Sequence, residues 1–226
     1  AGEGGILITD NREYYERAIV LGHYERIPGL GEDSPYAKYA MHYPIPPACF
    51  CFKYRIHPLA AAIAREQFKK LDHFVAIERE NMRYLTEGLT GLHPAFEPAY
   101  ESPDVDRVWL NYVCYFDEEK AGVPRDKFVE ALKAEGVPTT AGRAGYLPMY
   151  WNPLYEDKDI WGKGCPFSCP FYSKEVSYPK GLCPNTEKVW KQTVGLPVFW
   201  NRTPREVLDQ VIATVGKVLG NLDQLE

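Results

Sequence analysis

Between Pro58 and Leu89 the sequence keeps to a helical repeat. Leu59, Ile63, Gln67, Leu71, Val75, Met82, Leu85 and Leu89 fall on or near one stripe. The spacing predicts one long helix from Leu59, and Pro58 suits its first turn because no amide hydrogen is needed there. The stretches beside it obey no such period. Residues 24–58 carry Pro28, Pro35, Pro44, Pro46, Pro47 and Pro58 among many aromatics, and a second aromatic connection runs from about Arg143 to Cys183. Both read as irregular but packed, and connections of that length tend to carry function or an interface.

The remaining segments read as alternating short elements. Gly4 and Gly5 form a turn feeding a strand over Ile6–Asp10, and a helix follows with Tyr14, Tyr15, Ala18, Ile19 and Leu21 on its apolar side, capped by Asp10 or Asn11. Residues 108–116, VWLNYVCYF, have the aromatic and β-branched make-up of a strand. PRDKFVEALKAEGV is then an amphipathic helix stopped by Gly136, and a short strand at Val137–Thr140 would complete a βαβ-like unit. The last helix begins at TPRE, with Thr203 as cap, Pro204 in its first position and Glu206 closing a capping box. The fold class expected is α/β, with an α+β module at the C-terminal end.

Composition narrows the partners. With 45% hydrophobic and 14% aromatic residues in 226, a sizeable core is available. A net charge of -5, with Lys and Arg interspersed among acids, leaves no footprint for nucleic acid or anionic lipid. No apolar run approaches the ~20 residues that span a bilayer, and the start lacks the layout of a signal peptide, so the expected location is the cytoplasm. The cysteines at 49, 51, 114, 165, 169 and 183 raise a zinc reading. Their spacing lacks the C-x-x-C knuckle, and His42 and His57 stand at no zinc-ligand spacing from the first pair, so no metal ligands are assigned. Reduced thiols, some of them buried, are the simpler account.

Several segments together resemble the DegT/StrS group of pyridoxal-phosphate (PLP) sugar aminotransferases. GEGG at Gly2–Gly5, an apolar run and Thr9-Asp10 are similar to that family's GEGG-strand-TD segment. Leu21–His23 resembles its LR-x-H helix end, with Gly22 altering the pattern. FKYRIHPLAAAIAREQFKKLD resembles GYNYRM-x-x-x-QAAIG-x-x-QL-x-x-LD. YLPMYWNPLY is similar to a segment near the substrate, with Tyr150 where His is common, and LCPNTEKVWKQTVGLPVFWNRTPREV resembles the closing helix, strand and last helix. The C-P-N-T stretch looks closest to enzymes similar to aminohydroxybenzoate synthase and the cyclitol aminotransferases.

The resemblance implies the C-terminal part of a PLP-dependent transferase of the aspartate-aminotransferase fold type. Residues 1–58 would end the large PLP-binding domain and form an interface loop, and residues 59–226 would form the long connecting helix and the small domain. In the family the Schiff-base lysine lies a few residues before GEGG, which places it upstream of this chain, and no catalytic residue is assigned within it. Lys53 stands in the loop that reaches a neighbouring subunit's PLP phosphate; it is either a cofactor-binding point charge or a solvated lysine. Arg55 either orients that loop, binds a carboxylate through its planar fork, or forms a structural pair at an interface. His23, Tyr146, Tyr150 and Tyr155 are the substrate-binding candidates, with Trp151 beside them, and for each the alternative is local packing. The implied partners are a sugar or cyclitol ketone, an amino-acid donor and a second subunit of a homodimer. The alternative is a catalytically inactive interaction module that pairs with a lysine-bearing chain. Either way, apolar surface along residues 36–56 is expected to need cover.

Overall fold

A computed structural model describes residues 2–22, 24–38, 52, 54–142, 146–168, 170, 172, 174–200 and 202–225. His23, Lys53, Cys49, Cys51, Cys169 and most of residues 36–56 lie outside the described residues. The chain divides into two compact units, residues 1–71 and 72–226.

In the first unit α1 spans Arg12–Gly22. Of the two candidate caps Asn11 is the one used: its Oδ1 accepts the Tyr14 amide at 3.2 Å. Arg12 joins Glu16 (2.8 Å) to Asp33 (2.6 Å), and Ile27 and Leu30 are buried in the 3-10 turn Tyr24–Leu30, so residues 24–37 are irregular and packed as read. The Phe52 and Tyr54 amides donate to the carbonyls of Leu21 and Gly22 at 2.8 and 2.9 Å, satisfying acceptors that end a helix. Then α2 (Pro58–Phe68) starts with Pro58 in its first turn and His57 Nδ1 accepting the Leu59 amide at 3.2 Å.

Two expectations change here. Residues 6–9 form no strand, and Ile6, Leu7 and Ile8 are 89%, 67% and 89% exposed. A strand is defined by its ladder, and among the described residues nothing in this unit pairs with it. The helix read as continuous from Leu59 is broken at Lys69–Lys70, where the Lys70 amide turns back to the Gln67 carbonyl at 2.9 Å. Its second part, α3 (Leu71–Leu89), buries Met82, Leu85 and Leu89, whereas Leu59, Ile63 and Leu71 are exposed.

The second unit is built on an antiparallel four-stranded sheet in the order β1-β2-β4-β3: β1 is Phe96–Glu97, β2 Tyr112–Phe116, β3 Thr140–Ala141 and β4 Thr193–Leu196. The short helix α4 (Glu118–Ala121) and then α5 (Arg125–Ala134) lead from β2 to β3, and β4 lies antiparallel between those two strands. The βαβ-like unit is therefore present in split form. A Schellman closure ends α5: the Val137 amide reaches Leu132 O (2.9 Å), the Gly136 amide reaches Lys133 O (3.0 Å), and Gly136 has φ 92°. Strand β2 is shorter than read, because residues 108–111 lie outside the ladder.

Side chains alternate across the sheet as a pleat requires. Tyr112, Cys114 and Phe116 of β2 are buried with Val194 and Leu196 of β4. They pack with α3, α5 and α8 (Arg205–Leu219), which contributes Val211, Val215, Val218 and Leu219. Thr203 does not cap α8: Pro204 holds the N-cap position with ψ 140° and no side chain makes a capping bond. Extended backbone at Pro204 delays the helix by one residue and takes the Thr203 hydroxyl out of register.

Phe128 sits at the centre of this core, stacked on Phe116 with centroids 4.5 Å apart and tilted against Phe96 at 5.9 Å. Phe128→Ala is expected to lower unfolding stability by about 3–5 kcal/mol, read from the urea midpoint at constant m-value.

Candidate functional site

Among the described residues a groove is found in each unit. In the first, a groove of about 960 Å³ runs between residues 3–9, the Tyr15, Ala18, Ile19 and Gly22 side of α1, and Tyr54–Ile56. Arg55 lines it, whereas His23 and Lys53 lie outside the described residues. Phe52 and Tyr54, on either side of Lys53 in sequence, stack with centroids 5.1 Å apart.

In the second unit a groove of about 670 Å³ opens on the sheet face opposite α3, α5 and α8, over Val113 and Thr193. One wall is Arg107–Asn111, the other Tyr146–Met149, and α7 (Pro184–Gln192) supplies Thr186, Val189 and Trp190. The Arg107 guanidinium lies 3.8 Å above the Trp109 ring and donates to the Tyr100 carbonyl at 2.6 Å. Trp190 Nε1 holds the Tyr146 carbonyl at 2.7 Å, fixing the second wall from behind. That indole leaves no room for a side chain at position 142: Gly142 has φ +70°, and a Cβ there would lie 2.7 Å from Trp190 Nε1.

The structure separates the tyrosine candidates. Tyr146 lines the groove and is 72% exposed. Tyr150 stands behind the wall in the 3-10 turn Met149–Trp151, where its hydroxyl donates to the Glu187 carboxylate and accepts the Cys183 amide at 3.3 Å. Glu187 also accepts the Gly181 amide at 2.5 Å. Trp151 packs edge-on to Trp190 at 5.2 Å. Tyr155, in the short helix α6 (Pro153–Asp157), belongs to a separate aromatic cluster with Phe167 (5.9 Å) and Tyr178 (5.2 Å).

Arg107, Trp190 and Glu187 were not singled out in the sequence. For Trp190 a signal existed, since Thr186, Val189 and Trp190 recur at helical spacing ahead of β4. The described cysteines are dispersed: Cys114 is buried in β2, where burial pushes its thiol well up and leaves it unreactive, Cys165 is in the loop after α6, and Cys183 precedes α7. Among the described residues no three His, Cys, Asp or Glu side chains gather as metal ligands. Also among them, no helix is long and apolar enough to cross a membrane.

The Tyr150 hydroxyl, followed by the Gly181 amide, holds the Glu187 carboxyl below the usual carboxylate range. A depressed pKa adds stability above the unfolded value, and this is lost as pH falls through the folded one. Tyr150→Phe is expected to raise the Glu187 pKa toward the ordinary glutamate value and to flatten this part of the acid unfolding profile. An NMR titration of the Glu187 carboxyl carbon checks it, and an unchanged pKa would refute the pairing.

The comparisons agree with this architecture. The model of the DegT/DnrJ/EryC1/StrS aminotransferase family matches residues 1–216. A Micromonospora echinospora protein provisionally named an L-glutamine:3-amino-2,3-dideoxy-scyllo-inosose aminotransferase is 32% identical over 167 residues, 71% of this chain and 36% of its own. An uncharacterized protein of Methanocaldococcus jannaschii is 26% identical over 96% of this chain and 50% of its own. Among solved structures, an aminotransferase from Psychrobacter cryohalolentis superposes with TM-score 0.67 at 13% identity, covering 95% of this chain and 51% of that one. GDP-4-keto-6-deoxy-D-mannose-3-dehydratase of E. coli, solved with hydrated PLP, superposes with TM-score 0.61 at 16% identity, covering 92% and 49%. The chain thus spans half the length or less of the relatives it matches. By a family match that runs over nearly its whole length, on the fold those structures share, the chain belongs to the DegT/DnrJ/EryC1/StrS aminotransferase family.

Proposed function

We propose that this chain is the C-terminal portion of a PLP-dependent aminotransferase that moves an amino group from an amino acid to a keto-sugar or keto-cyclitol. The observation that carries the reading is the family match over residues 1–216 in a chain spanning half or less of its relatives. Bound PLP supplies the electron sink for such a transfer and is held through a lysine amine. Among the described residues no lysine lines either groove, so the described part of this chain does not fit as the site of attachment. The reading keeps the Schiff-base lysine upstream of these residues, as the family resemblance implies.

What this chain contributes is a surface for the ketone. Leu110, Met149 and Val189 present apolar area beside the polar ends of Asn111, Tyr146 and Thr186. That mixture suits a ring with a C–H face and a hydroxylated edge. The parent enzyme is read as a cytoplasmic homodimer. The second reading, an interaction module paired with a lysine-bearing chain, draws on the exposed Ile6, Leu7, Ile8, Leu59 and Ile63, which need a covering partner.

Incubating the purified chain with PLP, reducing with borohydride and mapping the adduct by mass tests the lysine assignment. No stoichiometric phosphopyridoxyl peptide is expected, and one lysine labelled in full would place the attachment within these 226 residues. In the active protein, with the lysine-bearing part present, Tyr146→Ala is expected to raise KM for the ring ketone roughly tenfold through lost aromatic contact. An unchanged KM would remove the second-unit groove from the substrate path.

A further inference from the structure

The Arg107–Asn111 wall leads into β2 but lies outside the ladder, so its peptide groups have to be satisfied in another way. Three side chains do this. Glu78 on α3 accepts the Trp109 amide at 2.5 Å, Trp200 Nε1 donates to the Trp109 carbonyl at 2.9 Å, and Arg79 Nε donates to the Arg107 carbonyl at 3.0 Å. Glu78 is the unusual member. It is 2% exposed on a helix whose neighbouring inward positions are Asn81, Met82 and Leu85. Burying a carboxylate is costly unless a donor meets it, and the donor here is a backbone N–H belonging to the groove wall.

The wall's side chains alternate about that peptide. The Trp109 ring is buried against Tyr112, with centroids 4.9 Å apart, while Val108 and Leu110 on either side are exposed and face the groove. Rotation or withdrawal of the Trp109 peptide would carry Val108, Leu110 and Asn111 with it, and would shift the platform on which the Arg107 guanidinium rests. We propose that Glu78 is a positioning residue for this groove: by accepting the Trp109 amide from within α3 it fixes the Arg107–Asn111 wall at the substrate-facing surface. The inference rests on the reading of this groove as that surface.

Two conservative variants separate reach from charge. Glu78→Gln keeps an acceptor oxygen at the same distance, whereas Glu78→Asp keeps the charge but draws the carboxylate back by one methylene. Hydrogen exchange at the Trp109 amide, followed by NMR in the whole chain, reads the bond itself. In Glu78→Asp it is expected to exchange roughly tenfold faster or more, with the β2 amides of Cys114 and Phe116 unchanged, because only the local opening becomes easier. Glu78→Gln should stay within about threefold of the parent, since a carboxamide oxygen is also an acceptor. A Trp109 amide as slow in Glu78→Asp as in the parent would overturn the proposal, as would equal acceleration in both variants. Acceleration of Trp109 and the β2 amides together would also overturn it, reducing Glu78 to general packing. None of these readings depends on a ligand, so failure here is distinct from failure of the groove assignment, which the KM of Tyr146→Ala decides.

Discussion

The second unit depends on a strand that arrives late in the sequence. Thr193–Leu196 enters between β2 and β3 and pairs with both, so neither neighbour has a complete ladder until residues far downstream are in place. Its inward side chains Val194 and Leu196 lie opposite Cys114 and Tyr112, matching the buried faces of the two strands. The buried Arg125 guanidinium secures the entry, donating to the Trp190 and Thr193 carbonyls at 2.8 and 3.2 Å from the first position of α5. Because α7 runs directly into β4, the same anchorage sets Trp190, and with it the groove wall that hangs from the Trp190 indole. Core and groove thus share one fixed point.

Much of this was legible wherever a residue's role is local. Asn11, Pro58 and Gly136 act through their own backbone geometry, and each marks the helix end its type implies. The apolar faces of α5 and α8 follow from their spacing. The family resemblance, carried by several short segments in the right order, is borne out by the family match over residues 1–216.

Two of the misreadings share a cause, a deciding partner remote in sequence, whereas the Thr203 cap fails locally at the extended backbone of Pro204. VWLN has strand chemistry, yet its Trp109 amide and carbonyl are taken by Glu78 and Trp200 and the Arg107 carbonyl just ahead of it by Arg79, so only YVCYF enters the ladder. ILI has strand chemistry too, but among the described residues its unit offers no ladder for it. The stripe from Leu59 to Leu89 gave no warning of its break at Lys69–Lys70, because a helical period constrains which face is apolar and not whether that face is covered from one end to the other. Of the candidate site residues, Tyr146 lies where a groove-lining role needs it, and Tyr150 reaches the same wall only through its bonds behind it.

That distinction separates what the fold fixes at this groove from what it leaves variable. The groove floor belongs to the sheet and is coupled to the core through alternating residues, so Val113 and Thr193 cannot move without disturbing Cys114 and Val194 on the opposite face. The two walls are held differently, by side chains reaching from α3, Trp200 and α7 to peptide groups that no strand claims. A wall held at its backbone leaves its outward side chains, Val108, Leu110, Tyr146 and Met149, exposed on the groove. Substitutions there alter the surface offered to a ligand at little cost to stability, while the acceptor in α3 and the donor indole in α7 keep that surface in place.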